Sequence, residues 1–490
     1  MSETPAMLRL GFPAGGLRRG RQHPLLKGRA RRSRQSLLLL DTPEQTCTGS
    51  GWLCVSHADP SARVQELLPV SGQPSGPAPH LPEDLQIVAQ GEVKSATIAL
   101  QDGVTAQFRD IRLQRGDAET TVGELVLQGE AGALHALALR LCAELPLRWT
   151  GVPGLVLAAV TLGLAEARPV RAGQIAYALP DRANAVVAFA AIARHCLAQF
   201  DANMLPVLAD RDLEGVHQMR VALRRLRSAI QVFRDILPEA ALQPLADELR
   251  WLNGPLGDKR DLDVFLHETL KPLQQTGAAT EGLARIVQQV EARRGEAQQA
   301  LSEALQSARC AAWRLGVAQL LATLPGLAAI PPDTDTPPDT DTKAGDAPPH
   351  LRPDGARGFA AAVLHRRRRK VKKLGRRHAT LDTAGLHRLR IHAKRLRYAV
   401  EFFRPLFGKR DVRRFLAALT ELQDCLGALN DAAMGERLLR DTLGIPPDDP
   451  ASTAITGWFA GRQRLQLDHL GACWEAFARN KPFWKDALEK

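Results

Sequence analysis

One stretch of the chain occurs twice, and this duplication constrains the fold more than any other feature of the sequence. Residues 212–237 read DLEGVHQMRVALRRLRSAIQVFRDIL and residues 382–407 read DTAGLHRLRIHAKRLRYAVEFFRPLF, so the copies lie 170 residues apart and share 10 of 26 positions. Downstream, the Leu-Gly pair at 256–257 recurs at 426–427 with the same offset. A constant offset over this distance indicates a duplicated structural unit.

Each copy predicts an amphipathic helix. Asp212 and Asp382 stand where an N-cap carboxylate accepts the free N–H groups of the first turn, and no proline interrupts the helix interior. In the first copy, His217, Arg220, Arg224 and Arg227 fall within an arc of about 80° at the 100° per residue of an α-helix. Apolar residues occupy another face, which we expect to pack inward. We expect a turn after this helix, over 256–261, and its counterpart at 426–431.

The basic stripe has two interpretations. A solvated face, with arginine stems covering the edge of a core, accounts for one such helix. Two copies with the same spacing favour a site for a polyanion, because like charges on one face repel unless an anion lies among them. Arginine suits this role, since its planar donor fork matches phosphate oxygens. The candidate phosphate-binding residues are His217, Arg220, Arg224, Arg225 and Arg227 in the first copy, and His387, Arg390, Lys394, Arg395, Arg397 and Tyr398 in the second.

The two histidines have alternative roles. His217 and His387 lie about one turn inside their helices, and a metal role is weak because Val221 and Ile391 stand at the i+4 positions where a second ligand is needed. We expect the imidazoles to donate to phosphate near the positive helix end. Binding should then strengthen below about pH 6.5, where a free imidazole protonates.

The most basic helix precedes the second copy, at 364–378, with nine Arg or Lys residues between 366 and 377. Taken alone, such a run is typical of a nucleic-acid-binding or localisation patch. Next to the second copy, it is interpreted as a further wall of the same phosphate channel. Its candidate residues share one helical face and are Arg366, Lys370, Lys373 and Arg377.

The two V/L-H-x-x-R-V/I-x-x-R/K-R-L-R motifs, each followed by Leu-Gly, resemble the CHAD family over about residues 183–490. The family consists of histidine-containing α-helical domains that bind inorganic polyphosphate. The resemblance implies two helical bundles related by a pseudo-twofold axis, with a basic channel between them that holds the polymer.

Composition supports an acidic partner. The net charge is +12 and the pI is near 9.7, which favours nucleic acid, an anionic membrane or a phosphate polymer. The seven cysteines are scattered along the chain and include no C-x-x-C pair, a pattern typical of proteins of the reducing cytoplasm. The longest apolar run, near 154–165, is too short to span a bilayer. We expect no cofactor and no membrane insertion.

The N-terminal part, residues 1–180, predicts a β-rich domain with a hairpin turn at Asp102-Gly103. The segment 23–43, the strand 124–129 with the helix after it, and the position before a CHAD-like region resemble a degenerate CYTH, or triphosphate tunnel, domain. Active members begin with alternating glutamates that hold a divalent metal, whereas this chain has Met7-Leu8-Arg9-Leu10 and keeps only Glu124. We therefore expect a scaffold without catalytic activity.

The sequence thus predicts a multidomain α+β chain. The expected units are a degenerate CYTH-like domain at 1–180, helical bundles at 183–325 and 357–490, and a disordered linker at 327–356 with PPDTDT in tandem. The linker is interpreted as a spacer or, alternatively, as a weak acidic competitor for the channel. The expected function is non-catalytic binding of polyphosphate in the cytoplasm, with targeting to polyphosphate granules. The alternatives are non-specific DNA or RNA binding and a metal-dependent triphosphatase in the N-terminal domain.

Overall fold

The structure, a computed structural model, describes residues 6–57, 64–70, 80–81, 84–180, 183–276, 281–327 and 355–488. A β-sheet domain forms the N-terminal part and helices form the rest, as the sequence predicts. Most of the predicted linker at 327–356 lies outside the described residues, so its disorder stays a prediction.

The sheet is antiparallel throughout and curls into a half-barrel, with its described strands in the order β4-β3-β2-β5-β6-β7-β1-β8. Asp102 and Gly103 both have positive φ, 57° and 68°, which confirms the predicted hairpin. Residues 86–99 form one long strand, in which a Cβ at Gly91 would lie only 2.5 Å from the carbonyl oxygen of Arg112 on the neighbouring strand. The strands are β1 (Ala6–Phe12), β2 (Ala30–Asp41), β3 (Trp52–Ser56), β4 (Glu66–Pro69), β5 (Gln86–Ala99), β6 (Thr105–Arg115), β7 (Ala118–Gly129) and β8 (Arg148–Trp149).

Both faces of the sheet carry apolar cores. On one face, Phe108 and Leu125 pack with the helix Ala131–Glu144 and with Leu315 from the helical region. On the other face, Ile111 packs with the apolar helix Gly154–Thr161. The sheet is therefore docked on the helical region. Its helices are α1 (Gly16–Arg21), α2 (Thr46–Gly49), α3 (Ala131–Glu144) and α4 (Gly154–Thr161).

The helical region begins at Ala185, and its larger core contains both copies of the duplicated stretch, while a second core includes Phe265 and Phe459. Its helices are α5 (Ala185–Ala202), α6 (Met204–Ala209), α7 (Leu213–Phe233), α8 (Glu239–Val264), α9 (Lys271–Gln275), α10 (Glu281–Leu305), α11 (Ala308–Leu327), α12 (Gly355–Gly375), α13 (Thr383–Phe403), α14 (Lys409–Cys425), α15 (Ala428–Arg437), α16 (Pro450–Asp468) and α17 (Leu470–Arg479).

The two copies are the helices α7 and α13. The Asp212 carboxylate accepts the N–H of Glu214 at 2.8 Å, and the Asp382 carboxylate accepts the N–H of Gly385 at 2.7 Å. Both predicted N-caps are confirmed. Each cap satisfies a backbone donor that the first turn leaves free, which fixes where the basic stripe begins.

Equivalent phenylalanines of the two repeats meet in the core. Phe233 and Phe403 stand at the same position of the two copies, and their ring centroids lie 5.9 Å apart. Phe189 and Phe359, again 170 residues apart, pack against them at 5.4 Å and 6.2 Å. This arrangement is that expected near a pseudo-twofold axis, and it places α7 and α13 against each other.

The expected turn at 256–261 is wrong for the first repeat, because α8 runs on to Val264. Its polar residues are satisfied within the helical packing: buried Lys259 donates to Asp263 at 2.9 Å and contacts Asp210 at 3.0 Å. In the second repeat a break does fall between α14 and α15. The helices α16 and α17 are separated by a break at His469.

Among the described residues, one helical segment, Ala185–Ala209, has the length and apolar character of a membrane-crossing helix. However, 72% of its apolar window is buried inside the protein. The segment is α5 with α6, and its apolar side chains belong to the core of the helical region.

Candidate anion-binding site

Charged side chains from both repeats converge where α7 and α13 pack together. The pKa of Lys394 is lowered to about 7, first by burial and then by the positive charges around it, Arg224 foremost. Arg224 and Lys394 occupy equivalent positions, 170 residues apart. We call this group the cationic cluster; its members are His217, Arg220, Arg224, Arg390, Lys394 and Arg397.

The cationic cluster holds hydrogen-bond donors that the protein does not use. Among the described residues, the Nε atoms of Arg224 and Arg397 and the hydroxyl of Tyr398 are buried without a hydrogen-bond partner. Tyr398 itself is 2% exposed, and the Arg397 guanidinium lies 5.6 Å from its ring centroid. A buried donor left without a partner costs about 1–3 kcal/mol, so an acceptor from outside the chain would be stabilised here.

Acidic residues pair with Arg220 and Arg397 of the cationic cluster. Arg220 donates to Asp261 at 2.7 Å, and the other oxygen of Asp261 accepts from Arg437 at 2.8 Å. Glu401 lies 3.6 Å from Arg397. Within the described residues, no carboxylate lies within ion-pair distance of Arg224 or Lys394, so the centre of the cationic cluster keeps its positive charge.

Burial changes the role expected of His217. Its pKa is lowered to about 4 by burial, and the positive charges of Arg260, Arg224 and Arg220 act in the same direction. The free protein therefore carries a neutral imidazole at pH 6.5, and the expected strengthening of binding there does not apply to His217. A neutral ring still has one N–H with which to donate to an anion. His387, its counterpart, is exposed.

Arg225 does not belong to the exposed stripe. Its side chain is 4% exposed, donates to the amide oxygen of Gln199 at 3.1 Å and lies 3.8 Å from Glu401 of the other repeat. The guanidinium also lies 5.8 Å from the ring of Phe402. The expectation that Arg225 contacts the anion is corrected: it links α5, α7 and α13 beneath the cationic cluster. Arg227 is exposed on α7.

The basic helix α12 packs on a different side of α13 from the cationic cluster. Arg367 donates to the carbonyl of Arg395 at 2.6 Å, and the charge of Lys370 acts on His392. At 100° per residue, His392 and Arg395 lie roughly 140° around α13 from the stripe of Arg390 and Lys394. The sequence predicts that α12 forms a further wall of the phosphate channel, but these contacts place it on another side of α13. Whether Arg366, Lys370, Lys373, Arg377 and Arg395 bind phosphate stays a prediction.

Two functional neighbours of the cationic cluster were missed in the sequence. Arg260 acts on His217 from α8, and Asp261 holds Arg220. Both lie in the polar run 258–261, which the sequence analysis assigned to a turn. The repeat offset relates Asp261 to Asp431 and was the signal that pointed to this position.

In the N-terminal domain, the one retained glutamate is enclosed by the protein. Glu124 is 1% exposed, lies 3.3 Å from Arg9 and 3.1 Å from Arg109, and accepts the N–H of Gly154 at 3.0 Å. It thereby fixes the start of α4 against the sheet. Across the described residues, no group of three or more His, Cys, Asp or Glu side chains could hold a metal ion.

Comparison with known proteins agrees with this architecture. The family model described as "CHAD domain" matches residues 191–440. Among solved structures, the CHAD domain from the plant Ricinus communis is 30% identical with a TM-score of 0.50, covering 63% of this chain and 97% of that chain. PptA from Streptomyces chartreusis is 19% identical with a TM-score of 0.38, covering 63% and 100%. No curated protein matches the chain.

The family model begins at residue 191 within α5 and ends at residue 440, shortly after α15. It therefore spans the helices of both repeats and includes every member of the cationic cluster. On the strength of that match and of the paired histidine–arginine helices, the chain belongs to the CHAD family.

Proposed function

We propose that the protein binds inorganic polyphosphate, without chemical turnover, in a channel at the cationic cluster. The observation that carries this proposal is the packing of α7 against α13, where the charges of the equivalent cations Arg224 and Lys394 act on each other and no carboxylate among the described residues pairs with either. Membership of the CHAD family supports the same ligand. Targeting of the protein to polyphosphate granules follows from this proposal as its cellular consequence.

A linear phosphate chain fits the chemistry of the cationic cluster. Each internal phosphate carries a negative charge and acceptor oxygens, which suit arginine forks and the Nε donor of Arg224 that lacks a hydrogen-bond partner. Single-stranded nucleic acid would instead require exposed aromatic rings on which bases stack. The one aromatic residue in the stripe, Tyr398, is buried, which disfavours this alternative.

We further propose that the N-terminal domain does not hydrolyse triphosphate. Glu124 is already bonded to two arginines and to the N-terminus of α4, so it is poorly placed to bind a metal. The apolar helix α4 packs on the same face of the sheet as Glu124 and excludes a polar tunnel from the region it covers. This domain is better suited to a scaffold, since it shares a core with α11.

The test is a titration of the full chain with polyphosphates of defined length at two salt concentrations. We expect affinity to fall steeply with salt, because binding releases counterions from the polymer. Replacing Arg220→Ala and Arg390→Ala together should abolish binding while helicity is retained. The matched control is Arg31→Ala with Arg32→Ala, two exposed arginines of β2 whose loss changes the net charge equally.

Binding that survives in the Arg220/Arg390 variant, or that falls equally in the control, contradicts the proposed site. In the second case, affinity would depend on net charge alone. Loss of helicity in the cluster variant would assign these two arginines to folding. Competition then separates the ligands of the cationic cluster: polyphosphate should displace single-stranded DNA or RNA from it at a far lower concentration than the reverse.

A further inference from the structure

The helix α12 presents a basic surface that the proposed polyphosphate site does not use. Residues 355–375 contain no acid, and the exposed basic side chains follow α12 along its length. They line an open groove of about 840 Å³ together with the exposed Leu488. The lining cations are His365, Arg366, Arg368, Arg369, Lys370, Lys372, Lys373 and Arg376.

The groove cations form two rows along α12, about 100° apart around the helix axis. The first row contains Arg366, Lys370 and Lys373, and the second contains Arg369 and Lys372, with Arg376 just past the end of α12. Arg395 of α13 borders the first row. The first row spans about 10 Å at 1.5 Å per residue.

Two of the inner arginines are held by backbone carbonyls rather than by carboxylates. Arg367 donates to the carbonyl of Arg395, and Arg368 donates to the carbonyl of Asn480 at 2.7 Å. Burial, with the charges of Arg395 and Arg366, lowers the pKa of Arg367 to about 10. The basic side chains of this surface therefore lie close together without carboxylate partners and repel one another. An anionic partner would relieve this repulsion.

We propose that this surface binds the sugar–phosphate backbones of double-stranded nucleic acid, independently of sequence and of the cationic cluster. Parallel rows of cations match the two parallel lines of phosphates along a groove of a duplex, which carries roughly six charges over about 10 Å. A single polyphosphate chain is one line of charges and needs one row. The surface offers no exposed aromatic ring for stacking, and Leu488 alone is too little apolar area to enter a membrane.

The experiment uses the full chain and a fluorescent, mixed-sequence DNA duplex two helical turns long, followed by anisotropy over a salt series. One variant removes the first row, Arg366→Gln, Lys370→Gln and Lys373→Gln; a second removes Arg369→Gln, Lys372→Gln and Arg376→Gln. Each should weaken duplex binding at least tenfold and reduce the slope of log K against log salt by about 2.7, which is 0.9 per phosphate contact. Short-chain polyphosphate should bind the second variant as it binds the native chain.

The reciprocal variant is Arg220→Ala with Arg390→Ala, which should lose polyphosphate and keep the duplex. Because the two ligands are measured separately, the duplex result can be interpreted even if the proposed polyphosphate site is wrong. The inference is overturned if neither row variant loses duplex binding, or if both lose short-chain polyphosphate to the same extent. Binding of phosphatidylglycerol vesicles through the rows, without duplex binding, would overturn it in favour of a membrane surface.

Discussion

Lys394 lies beside Arg224, the residue that occupies its own position in the other repeat. Two cations related by an internal duplication have thus been brought together in a half-buried setting, where each raises the free energy of the other's charged form. In the absence of an anion, such a contact lowers the stability of the folded protein. We interpret this lower stability as a consequence of a site that is adapted to bind an anion.

Replacing Lys394→Met tests this relationship. The native charge is buried and repelled by Arg224, so its loss should raise the melting temperature of the free protein. The same substitution should weaken polyphosphate binding at least tenfold. The tenfold figure corresponds to about 1.4 kcal/mol for one charged hydrogen bond. Calorimetric melting and titration of the same preparation measure both effects. A lower melting temperature would show that Lys394 supports the fold.

The pH dependence of stability follows from the same residue. The pKa of Lys394 is about 7 in the folded protein and near 10.4 in an unfolded chain, so the unfolded state binds more protons between these values. The contribution of Lys394 to stability should therefore rise from pH 7 to about pH 10. Comparing the melting temperatures of native and Lys394→Met protein across this range isolates the effect, which should be absent from the variant.

Polyphosphate binding should take up a proton near pH 8. Free Lys394 is then largely neutral, whereas an anion favours its charged form and raises its pKa. Affinity is expected to fall as pH rises above 7. Titration calorimetry in buffers of different ionisation enthalpy measures the proton uptake, and the Lys394→Met variant provides the control without it.

Arg225 should matter for stability rather than for contact with the ligand. Arg225→Ala removes the hydrogen bond to Gln199 and the contact with Glu401, which keeps Arg397 at 3.6 Å. Because Glu401 is partly exposed, the loss of stability should be about 1–3 kcal/mol. Thermal unfolding measures this loss. The neighbouring substitution Arg224→Ala should not destabilise the free protein, and an equal loss from both would contradict the assignment of Arg225 to folding and of Arg224 to binding.

Glu124 is expected to act as a structural residue of the half-barrel. Glu124→Gln should lower stability by about 1–3 kcal/mol, because Arg9 and Arg109 lose a charged acceptor. No metal-dependent release of phosphate from tripolyphosphate is expected from the native chain. Phosphate release that requires Mg²⁺ or Mn²⁺ and disappears in the variant would restore the enzyme alternative.

The duplication made much of the helical fold predictable. The offset identified α7 and α13, their aspartate caps and the stripe that forms the cationic cluster, because these depend on local spacing. It did not predict that Arg225 is buried while Arg395 is exposed. The difference arises from tertiary partners: Glu401 faces Arg225, whereas its counterpart in the first repeat is the exposed Gln231.

The position of α12 was beyond sequence reasoning for a similar reason. Its charge was evident, but which side of α13 it covers depends on packing across the core. The continuous helix α8 was likewise unpredictable, because Pro244 and Pro255 and the polar run after them indicate a turn. That run is stabilised by the buried pair of Lys259 and Asp263, a contact that local propensity does not describe.

The central claim is that the two repeats form one polyphosphate site, and a double-mutant cycle tests it most directly. Titration calorimetry should compare the native chain with Arg224→Ala, Lys394→Ala and the double variant, using one short-chain polyphosphate. We expect one polyphosphate chain to bind each protein molecule. Either substitution should weaken this binding about tenfold or more, with non-additive effects in the double variant. Two independent binding events, each removed by one substitution alone, would contradict it.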